Sequence, residues 1–297
     1  MKNRLVVIGN GMAGARTVEE ILGRGGADLF DITMFGDEPC GSYNRTRLGR
    51  VLSGADSEDD IFLNSLHWYR ENDIALHAGV RVERVDKFSR HVFASDGRVI
   101  QYDHLIIATG SHSYLPAMDG LYTPSGTLRQ GVFTFRTLDD VRRMMQFSQQ
   151  KRHHRAAVIG GGSFGPDAAH GLRAHGLHVE VLSGSRAIAI LGDHHITGVS
   201  VRNQPDIDCH MVVVSAGSRP NVDLAVVSGL AVERGIVVDD HLKVMDEDDV
   251  YGVGECAQHR GEVYGMVAPL WEQAAVLADH ITGSDRSSMY LGTRTAS

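Results

Sequence analysis

Two glycine-rich segments have the spacing that nucleotide binding requires. The first, GNGMAG at residues 9–14, follows an apolar run at 5–8 and precedes a predicted helix at 15–22. In such a strand, turn and helix, the first glycine permits the tight turn, the second lets a phosphate approach the backbone, and the third lets the helix pack on the strand. The segment therefore predicts a pyrophosphate bound at a helix N-terminus.

An acidic residue after the next strand is the companion feature of this motif. Residues 31–35 are predicted to form that strand, and Asp37 and Glu38 follow it, about 20 residues beyond the turn. A carboxylate at this position can hold a ribose hydroxyl. The N-terminal segment therefore predicts an adenine dinucleotide site.

The second glycine segment, GGGSFG at residues 160–165, repeats the pattern. It lies between a predicted strand at 156–159 and a predicted helix at 167–175, and a further strand is predicted at 179–182. Two such motifs predict two adenine dinucleotides in one molecule, the usual arrangement when a nicotinamide hands a hydride to a flavin.

Residues near the C-terminus suit the flavin end of a dinucleotide. A predicted strand at 249–253 ends in Gly254 and Glu255, and a helix is predicted at 267–282. The carboxylate can accept hydrogen bonds from ribityl hydroxyls, and the helix N-terminus can stabilise negative charge on a reduced isoalloxazine ring. In an early polar loop, either Arg45 or Arg47 could neutralise a pyrophosphate.

The remaining elements are expected to position these residues. The hydrophobic and turn patterns predict a second buried strand at 102–107 with a small-residue turn after it, a helix at 68–72, one strand at 74–85, a hairpin at 90–99, a linker at 115–131, a helix at 137–150 with Thr137 as N-cap, and a hairpin at 190–202.

Composition excludes several classes of protein. The net charge of −8 argues against nucleic acid and anionic membrane surfaces as partners, and no apolar run is long enough to span a membrane. Three cysteines without a CxxC pair, and sixteen histidines without HExxH, predict no metal site and no short-spaced redox disulfide. Cys40 is expected to be inert rather than a reactive thiol, and the chain to be cytoplasmic.

Longer motifs carry a resemblance to a known family. They are VVIGNGMAG, FGDEP with YNR, LIIATGS, GVFTFRTLDDV, VIGGGSFG, VVVSAGSRPN, GIVVDD, VYGVGECA with HRGEVYG, and APLWEQAAVLADHITG. With these, the chain resembles the FAD- and NAD(P)H-binding N-terminal module of assimilatory nitrite reductase large subunits, kin of rubredoxin and ferredoxin reductases within the pyridine nucleotide-disulfide oxidoreductase-like flavoproteins.

The resemblance implies a fold of class α/β with two Rossmann-like domains. An FAD-binding domain would comprise residues 1–118 and 243–297, and an NAD(P)H-binding domain at 119–242 would be inserted into it. FAD would be the cofactor and NAD(P)H the electron donor. The resemblance does not imply a catalytic acid or base, and none is predicted.

The resemblance also implies the cofactor-binding residues. Those predicted to contact FAD are Gly9, Gly11, Met12, Ala13, Gly14, Asp37, Glu38, Arg45, Val82, Ala108, Thr109, Gly110, Gly254, Glu255, Pro269, Leu270 and Trp271. Those predicted to contact the nicotinamide dinucleotide are Gly160, Gly162, Ser163, Phe164, Gly165, Asp167 and Gly217.

The chain departs from the family pattern in its second half. The family commonly has a small apolar residue and Glu after the glycine turn, where this chain has Pro166 and Asp167. Residues 183–186 replace the acidic ribose ligand with SGSR, so NADPH is not excluded as donor. Judged against a full βαβαβ half, roughly 30 residues comprising a helix and a strand are missing after Leu182.

These observations predict an oxidoreductase that passes electrons from NAD(P)H through FAD to an iron–sulfur or siroheme acceptor, linked to nitrite reduction. The chain has no cysteine set for such a centre, and the interface domain of its relatives is not expected after residue 293. A rubredoxin or ferredoxin reductase is the alternative within the class. The other alternative, which the shortened half motivates, is a non-catalytic FAD-binding remnant that no longer uses NAD(P)H.

Overall fold

A computed structural model describes residues 1–150, 154–184, 187–193 and 195–293. Ser185 and Arg186, which follow the second predicted ribose-binding strand, lie outside the described residues. So do His153 and His194, two of the sixteen histidines.

Strands and helices alternate through most of the chain. Residues 1–111 contain β1 (Asn3–Ile8), α1 (Met12–Gly23), α2 (Gly26–Leu29), β2 (Phe30–Gly36), β3 (Ser42–Tyr43), a 3-10 helix (Arg45–Arg47), α3 (Leu48–Ser53), a second 3-10 helix (Asp59–Ile61), β4 (Phe62–Asn64), α4 (Leu66–Glu71), β5 (Ala75–Ala78), β6 (Val82–Asp86), β7 (His91–Ala94), β8 (Val99–Gln101) and β9 (His104–Ile107). The next segment contains β10 (Ser111–Ser113), β11 (Val132–Thr134), α5 (Leu138–Ser148), β12 (Arg155–Ile159), α6 (Phe164–Ala174), β13 (His178–Leu182), β14 (Ala187–Leu191), β15 (Gly198–Val201), β16 (Ile207–Asp208), β17 (Met211–Val214) and β18 (Ser218–Pro220). The last contains α7 (Asp223–Val227), β19 (Ile236–Val238), β20 (Val250–Gly252), β21 (Ala257–His259), β22 (Glu262–Val263) and α8 (Val267–Thr282).

The chain forms two compact units, each discontinuous in sequence. The first unit comprises Met1–Tyr43, Phe62–Ser111 and Pro220–Ser297, and the second comprises Asn44–Ile61 and His112–Arg219. The division predicted from sequence has the same insertion order. It differs in placing 220–242 with the second unit, and both 44–61 and 112–118 with the first.

The first unit is built on a parallel five-stranded sheet with strand order β20-β9-β1-β2-β5. Its central strand β1 contains Leu5, Val6 and Val7, all fully buried. Such an apolar run is typical of a strand covered on both faces. Helices α1 and α8 pack against each other. Because the strands are parallel, their carboxyl ends lie along one edge, where ligands of α/β sheets bind.

The single strand predicted at 74–85 is wrong. The chain forms β5 in the parallel sheet, turns at Gly79 with φ +76°, and continues as β6 in an antiparallel sheet with β7 and β8. The alternation of apolar and polar residues continues across the turn, so this periodicity alone could not locate the break between the two strands.

The second unit is built on a parallel four-stranded sheet with strand order β11-β17-β12-β13. Helix α3 packs against α6, and the hairpin predicted at 190–202 is confirmed by the pairing of β14 with β15. The linker predicted at 115–131 is wrong in part, because Leu121 is buried in this unit's core.

Strand β13 lies at the edge of this sheet. Within the described chain it pairs with β12 alone, and its other edge has no strand partner. Only residues 183–186 separate β13 from β14, whereas a crossover to another parallel strand needs a dozen or more residues. The connection after β13 is therefore too short for such a crossover.

The helices are short or polar relative to the apolar interior of a bilayer. Across the described ranges, none combines the length and the apolar character needed to cross a membrane.

Candidate functional site

The first glycine turn joins β1 to α1. Gly9 has φ +116°, and a Cβ there would lie 2.1 Å from the Ala108 carbonyl oxygen. A Cβ on Gly14 would lie 2.0 Å from the Gly9 oxygen. By contrast, a Cβ on Gly11 would meet no atom within 4 Å. The lack of a side chain at Gly9 and Gly14 therefore permits close packing of the backbone, whereas the space beside Gly11 is open to a ligand.

Helix α1 begins directly at this turn. Gly11 is its N-cap, and within this fully described helix no side chain caps the terminus and no acidic residue stands in the first turn. Unpaired N-terminal amides and the helix dipole favour an anion at this point. Met12 and Ala13, in the first turn, are buried.

The carboxyl ends of three strands meet beside the turn. The Ala108 amide donates to the Ile8 oxygen over 2.7 Å, and the Val253 amide donates to Ile107 over 3.0 Å. Gly254 has φ +89°, and a Cβ there would lie 2.6 Å from that of Ala13. The structure therefore brings Ala108, Thr109 and Gly254 close to the first turn.

Glu255 has a partner that sequence reasoning missed. The Ser111 hydroxyl donates to its carboxylate over 2.6 Å, although the two residues are 144 positions apart. Nearby, the Thr109 hydroxyl donates to the Asn221 oxygen over 2.7 Å, and the Asn221 amide donates to Gly110 over 2.9 Å. These bonds fix the backbone of 109–110, which directly precedes the Ser111 hydroxyl.

The predicted ribose carboxylates follow β2. Asp37 forms an ion pair with Arg81, N to O 2.9 Å, and Glu38 accepts from the Tyr43 hydroxyl over 2.6 Å. The backbone amide of residue 79 donates to the backbone oxygen of Glu38 over 3.0 Å. The structure thus places Asp37 and Glu38 next to the segment leading to Val82, which is buried at the start of β6.

Helix α8 supplies the last predicted contacts in the first unit. Pro269 and Leu270 are buried in its first turn, and the Arg16 guanidinium lies 5.6 Å from the ring centroid of Trp271. Gln273 is fully buried, and its Oε1 accepts from the Gly254 amide over 2.8 Å. Gln273 was not predicted, because only the fold brings it to the end of β20.

The second glycine turn has the same construction as the first. Gly160 has φ +132°, and a Cβ there would lie 1.9 Å from the Ser215 oxygen. A Cβ on Gly165 would lie 2.2 Å from the Gly160 oxygen, and one on Gly162 would meet nothing within 4 Å. The Gly160 amide donates to Leu182 over 2.8 Å, just as Gly9 donates to Phe35.

Other predicted residues surround this second turn. Ser163 precedes α6 without capping it, Phe164 is half-buried at its start, and Asp167 is exposed in its first turn. Gly217 is exposed with φ +112°. Ser183 lies against the turn, since a Cβ built on Gly161 would lie 2.9 Å from the Ser183 Cβ.

The two candidate arginines lie in the second unit. Arg45 donates to the Arg136 oxygen over 2.9 Å. Arg47 forms an ion pair with the nearly buried Asp56, N to O 2.9 Å. The charge of Arg47 therefore balances a buried carboxylate. The predicted contact of Arg45 with a phosphate stays a prediction.

A buried network supports the first turn from behind. The Tyr69 hydroxyl donates to Asn10 Oδ1 over 2.6 Å, and Asn10 Nδ2 donates to the Cys40 oxygen over 3.2 Å. Burial raises the pKa of the Tyr69 phenol, so it stays a donor. This network was missed because its members are distant in sequence.

The three cysteines are free thiols. Burial raises the pKa of Cys209 to about 12 and also raises the pKa of Cys256. A thiol is nucleophilic as a thiolate, so these two residues are poorly suited to exchange a disulfide with a cofactor.

Two units, each with a parallel sheet and a glycine turn opening a helix, define the class of α/β dinucleotide-binding proteins. A family model described as pyridine nucleotide-disulphide oxidoreductase matches residues 3–192 and 179–274. The chain belongs to this family. The α/β class and the resemblance predicted from sequence are therefore confirmed.

Curated relatives include proteins of nitrogen metabolism. The chain is 37% identical to "Assimilatory nitrate reductase electron transfer subunit" of Bacillus subtilis, over 95% of this chain and 39% of the relative. It is 38% identical to "Nitrite reductase [NAD(P)H]" of the same organism, over 95% of this chain and 38% of the relative. The chain thus spans about two fifths of the length of these relatives. Each alignment runs over 313 residues, more than the 297 of this chain, so the relatives contain residues that this chain lacks.

Solved structures share the fold. "Crystal structure of the covalent putidaredoxin reductase-putidaredoxin complex" matches with a TM-score of 0.84 and 22% identity, over 95% of this chain and 75% of that one. NADH:rubredoxin oxidoreductase from Clostridium acetobutylicum matches with a TM-score of 0.81 and 23% identity, over all of this chain and 79% of that one.

Proposed function

We propose that the protein is an FAD-dependent NAD(P)H oxidoreductase that passes electrons to an iron–sulfur or siroheme acceptor on another domain or protein. The observation that carries the proposal is the duplicated glycine turn, built with the same contacts in both units. Names of the relatives support the acceptor class, since they include nitrite reductases and an electron transfer subunit. Nitrite is then the final electron sink.

The residues of the first unit fit FAD. The open space at Gly11 and the uncapped start of α1 suit its pyrophosphate, and Glu38 with Asp37 suits the adenosine ribose. The Glu255 carboxylate, oriented by Ser111, would accept from ribityl hydroxyls. The N-terminus of α8 would face the ring and stabilise negative charge there. Bound FAD supplies the chemistry of accepting two electrons together and releasing them singly.

The residues of the second unit suit a nicotinamide dinucleotide. Gly162 and the uncapped start of α6 would hold a phosphate, and Asp167 and Gly217 would border the nicotinamide half. The chain's part is binding and orientation, and no side-chain acid or base is assigned.

The acceptor is expected to be outside this chain. Cys209 and Cys256 are buried thiols with raised pKa values, which argues against electron transfer to an internal dithiol. A rubredoxin or ferredoxin reductase is the near alternative, and the folds of the solved relatives suit it equally.

A second candidate is a non-catalytic FAD-binding protein. The observation that favours it is the edge strand β13, which lacks the crossover of a complete nucleotide-binding half. Such a protein would bind FAD and would not be reduced by NAD(P)H.

An anaerobic visible spectrum separates the two candidates. The purified protein, loaded with FAD, would be recorded before and after addition of NADH and, in a second sample, NADPH. If the protein is an oxidoreductase, at least one of the two donors should bleach the flavin band. A yellow protein that neither donor bleaches would overturn the main proposal and leave the second candidate.

A further inference from the structure

We infer that Gln273 of helix α8 is a positioning residue for the flavin half of FAD, and that it acts by holding the turn that carries Glu255. This inference rests on the proposed function, since it concerns the same FAD site. It goes beyond that function by assigning Gln273 to one half of the cofactor. Gln273 sets the affinity for the ribityl chain and the flavin ring, and it leaves the affinity for the adenosine diphosphate half unchanged.

A side chain, rather than a strand, accepts the hydrogen bond of the Gly254 amide. The Val253 amide still donates to the neighbouring strand, to the Ile107 oxygen over 3.0 Å. One residue further on, the Gly254 amide donates to Gln273 Oε1 over 2.8 Å. Gln273 is fully buried, whereas glutamine side chains are mostly exposed in proteins. The bond to Gly254 therefore compensates the cost of burying this amide.

The rest of the turn is anchored as well. The Gly254 oxygen accepts from the Ala257 amide over 3.0 Å, which closes a turn around Glu255. Gly254 has φ +89°, and a Cβ there would lie 2.6 Å from the Ala13 Cβ in α1. Gly254 is thus packed closely against α1 and hydrogen-bonded to α8. Any movement of its backbone would move the Glu255 carboxylate.

Glu255 belongs to the flavin half of the proposed site. Its carboxylate accepts from the Ser111 hydroxyl over 2.6 Å and is proposed to accept from ribityl hydroxyls. The groups proposed to hold adenosine diphosphate are the start of α1 and the acids after β2. Loss of the Gln273 bond should therefore displace the carboxylate from the ribityl chain and leave the phosphate and adenosine contacts in place.

The test is calorimetric titration of the FAD-depleted full chain with FAD and, separately, with ADP, which lacks the ribityl chain and the flavin ring. In Gln273→Met, an unbranched apolar side chain of similar size replaces the acceptor. We expect the ratio of FAD to ADP affinity to fall about tenfold, with ADP affinity itself within about threefold of wild type. A fall in the ratio of less than about threefold overturns the inference.

Gln258→Met is the matched control. Gln258 is also a buried glutamine of the first unit, and its Oε1 accepts from the amides of Arg234 and Gly235 over 2.8 and 3.0 Å. This variant removes an equivalent acceptor from a different turn. It should lower the stability of the fold but keep the ratio of FAD to ADP affinity within about threefold of wild type. A similar loss of the ratio in both variants would attribute the effect to destabilisation alone and overturn the inference.

A double-mutant cycle tests whether Gln273 acts through Glu255. Glu255→Ala removes the carboxylate, so in that background Gln273→Met should change FAD affinity by less than about threefold. Additive effects of the two substitutions would mean that Gln273 acts by another route, which overturns the inference. If Gln273→Met does not fold, Gln273→Asn takes its place in both measurements, because its shorter side chain withdraws the acceptor from Gly254 and keeps an amide.

Binding by the wild-type chain distinguishes failure of the inference from failure of the proposed function. If the wild type binds FAD and the ratio is unchanged in Gln273→Met, the inference alone is contradicted. If the wild type binds neither FAD nor ADP, the function and the inference are contradicted together.

Discussion

At the scale of single residues, the two glycine turns separate structural glycines from glycines kept for a ligand. A Cβ on Gly9 or Gly14 would lie within 2.1 Å of backbone atoms, which excludes substitution, and Gly9 also needs its φ of +116°. Gly11 meets neither restriction. A side chain at Gly11 is therefore compatible with the protein alone and incompatible only with what binds there.

The variant Gly11→Ala should therefore lose FAD affinity without losing stability. A methyl group crowding a phosphate costs about 1–3 kcal/mol, roughly a 5- to 150-fold rise in the dissociation constant. Fluorescence titration of the apoprotein with FAD measures this rise, and thermal unfolding of the apoprotein checks the fold.

Gly23→Ala is the matched control for this prediction. Gly23 lies in the same helix, and a Cβ there also meets nothing within 4 Å. It should bind FAD as wild type does. Equal FAD affinity in Gly11→Ala and Gly23→Ala would show that no phosphate lies at the first turn.

At the scale of elements, helix α5 in the second unit depends on its first turn. Thr137 is the N-cap, as predicted, and it forms a capping box with Asp140. The Asp140 carboxylate also accepts from the Thr134 hydroxyl over 2.9 Å and the Arg136 amide over 3.0 Å. One nearly buried carboxylate thus joins β11 to α5.

Replacing Asp140 with Ala should destabilise the second unit by about 1–3 kcal/mol, because buried donors would lose their acceptor. Asp139→Ala is the control, since Asp139 is an exposed acid in the same turn. It should change stability by less than about 0.5 kcal/mol. Urea unfolding measures both, and equal midpoints for the two variants would refute the role of the capping box.

In the first unit, Asp240 connects the end of β19 to β21. Arg260 donates to its carboxylate over 2.7 and 2.9 Å, and His259 Nε2 lies 2.8 Å from it. The hydrogen bonds from Arg260, and then from His259, hold the pKa of Asp240 at about 2, below its ordinary 3.8. Because the folded pKa is the lower one, the carboxylate stabilises the fold above about pH 4 and loses this contribution as the pH falls towards 2.

Asp240→Asn should therefore reduce stability most at neutral pH, by about 0.5–1.5 kcal/mol, and the difference from wild type should shrink between about pH 4 and 2.5. Chemical denaturation at several pH values measures this difference. Asp248→Asn, at a carboxylate that is 93% exposed, is the control and should leave the profile of wild type unchanged. A constant difference between Asp240→Asn and wild type at all pH values would contradict the assignment.

At the scale of the whole molecule, the sequence predicted what depends on local geometry. Each glycine turn needs only a strand, a turn and a helix in succession, and the short connection after Leu182 is visible in the sequence itself. The hydrogen-bond partners of the site residues could not be predicted from the sequence. Ser111 meets Glu255 because two strands distant in sequence end at the same edge, and Tyr69 meets Asn10 because the fold brings helix α4 to the first turn.

The same reason explains the wrong expectations. The strand at 74–85 breaks at Gly79 because the parallel and antiparallel sheets each take one half of it. Residues 115–131 have the composition of a linker, but Leu121 packs into the core of the second unit. Composition describes the local conformation that a segment prefers, whereas the burial of its side chains depends on elements elsewhere in the chain.

The chain alone should oxidise NADH with ferricyanide, a one-electron acceptor, but should not consume nitrite. Among the described residues, no group of three or more His, Cys, Asp or Glu side chains is arranged to hold a metal ion, and two of the three cysteines are buried. An anaerobic assay that follows NADH absorbance with either acceptor measures both activities, and FAD-depleted protein is the control that should lose the first. Nitrite consumption by the chain alone would mean that it carries a reducing centre of its own. Ferricyanide reduction without nitrite consumption would instead leave nitrite to a centre on another domain or protein, because a flavin module needs an acceptor to which single electrons can pass.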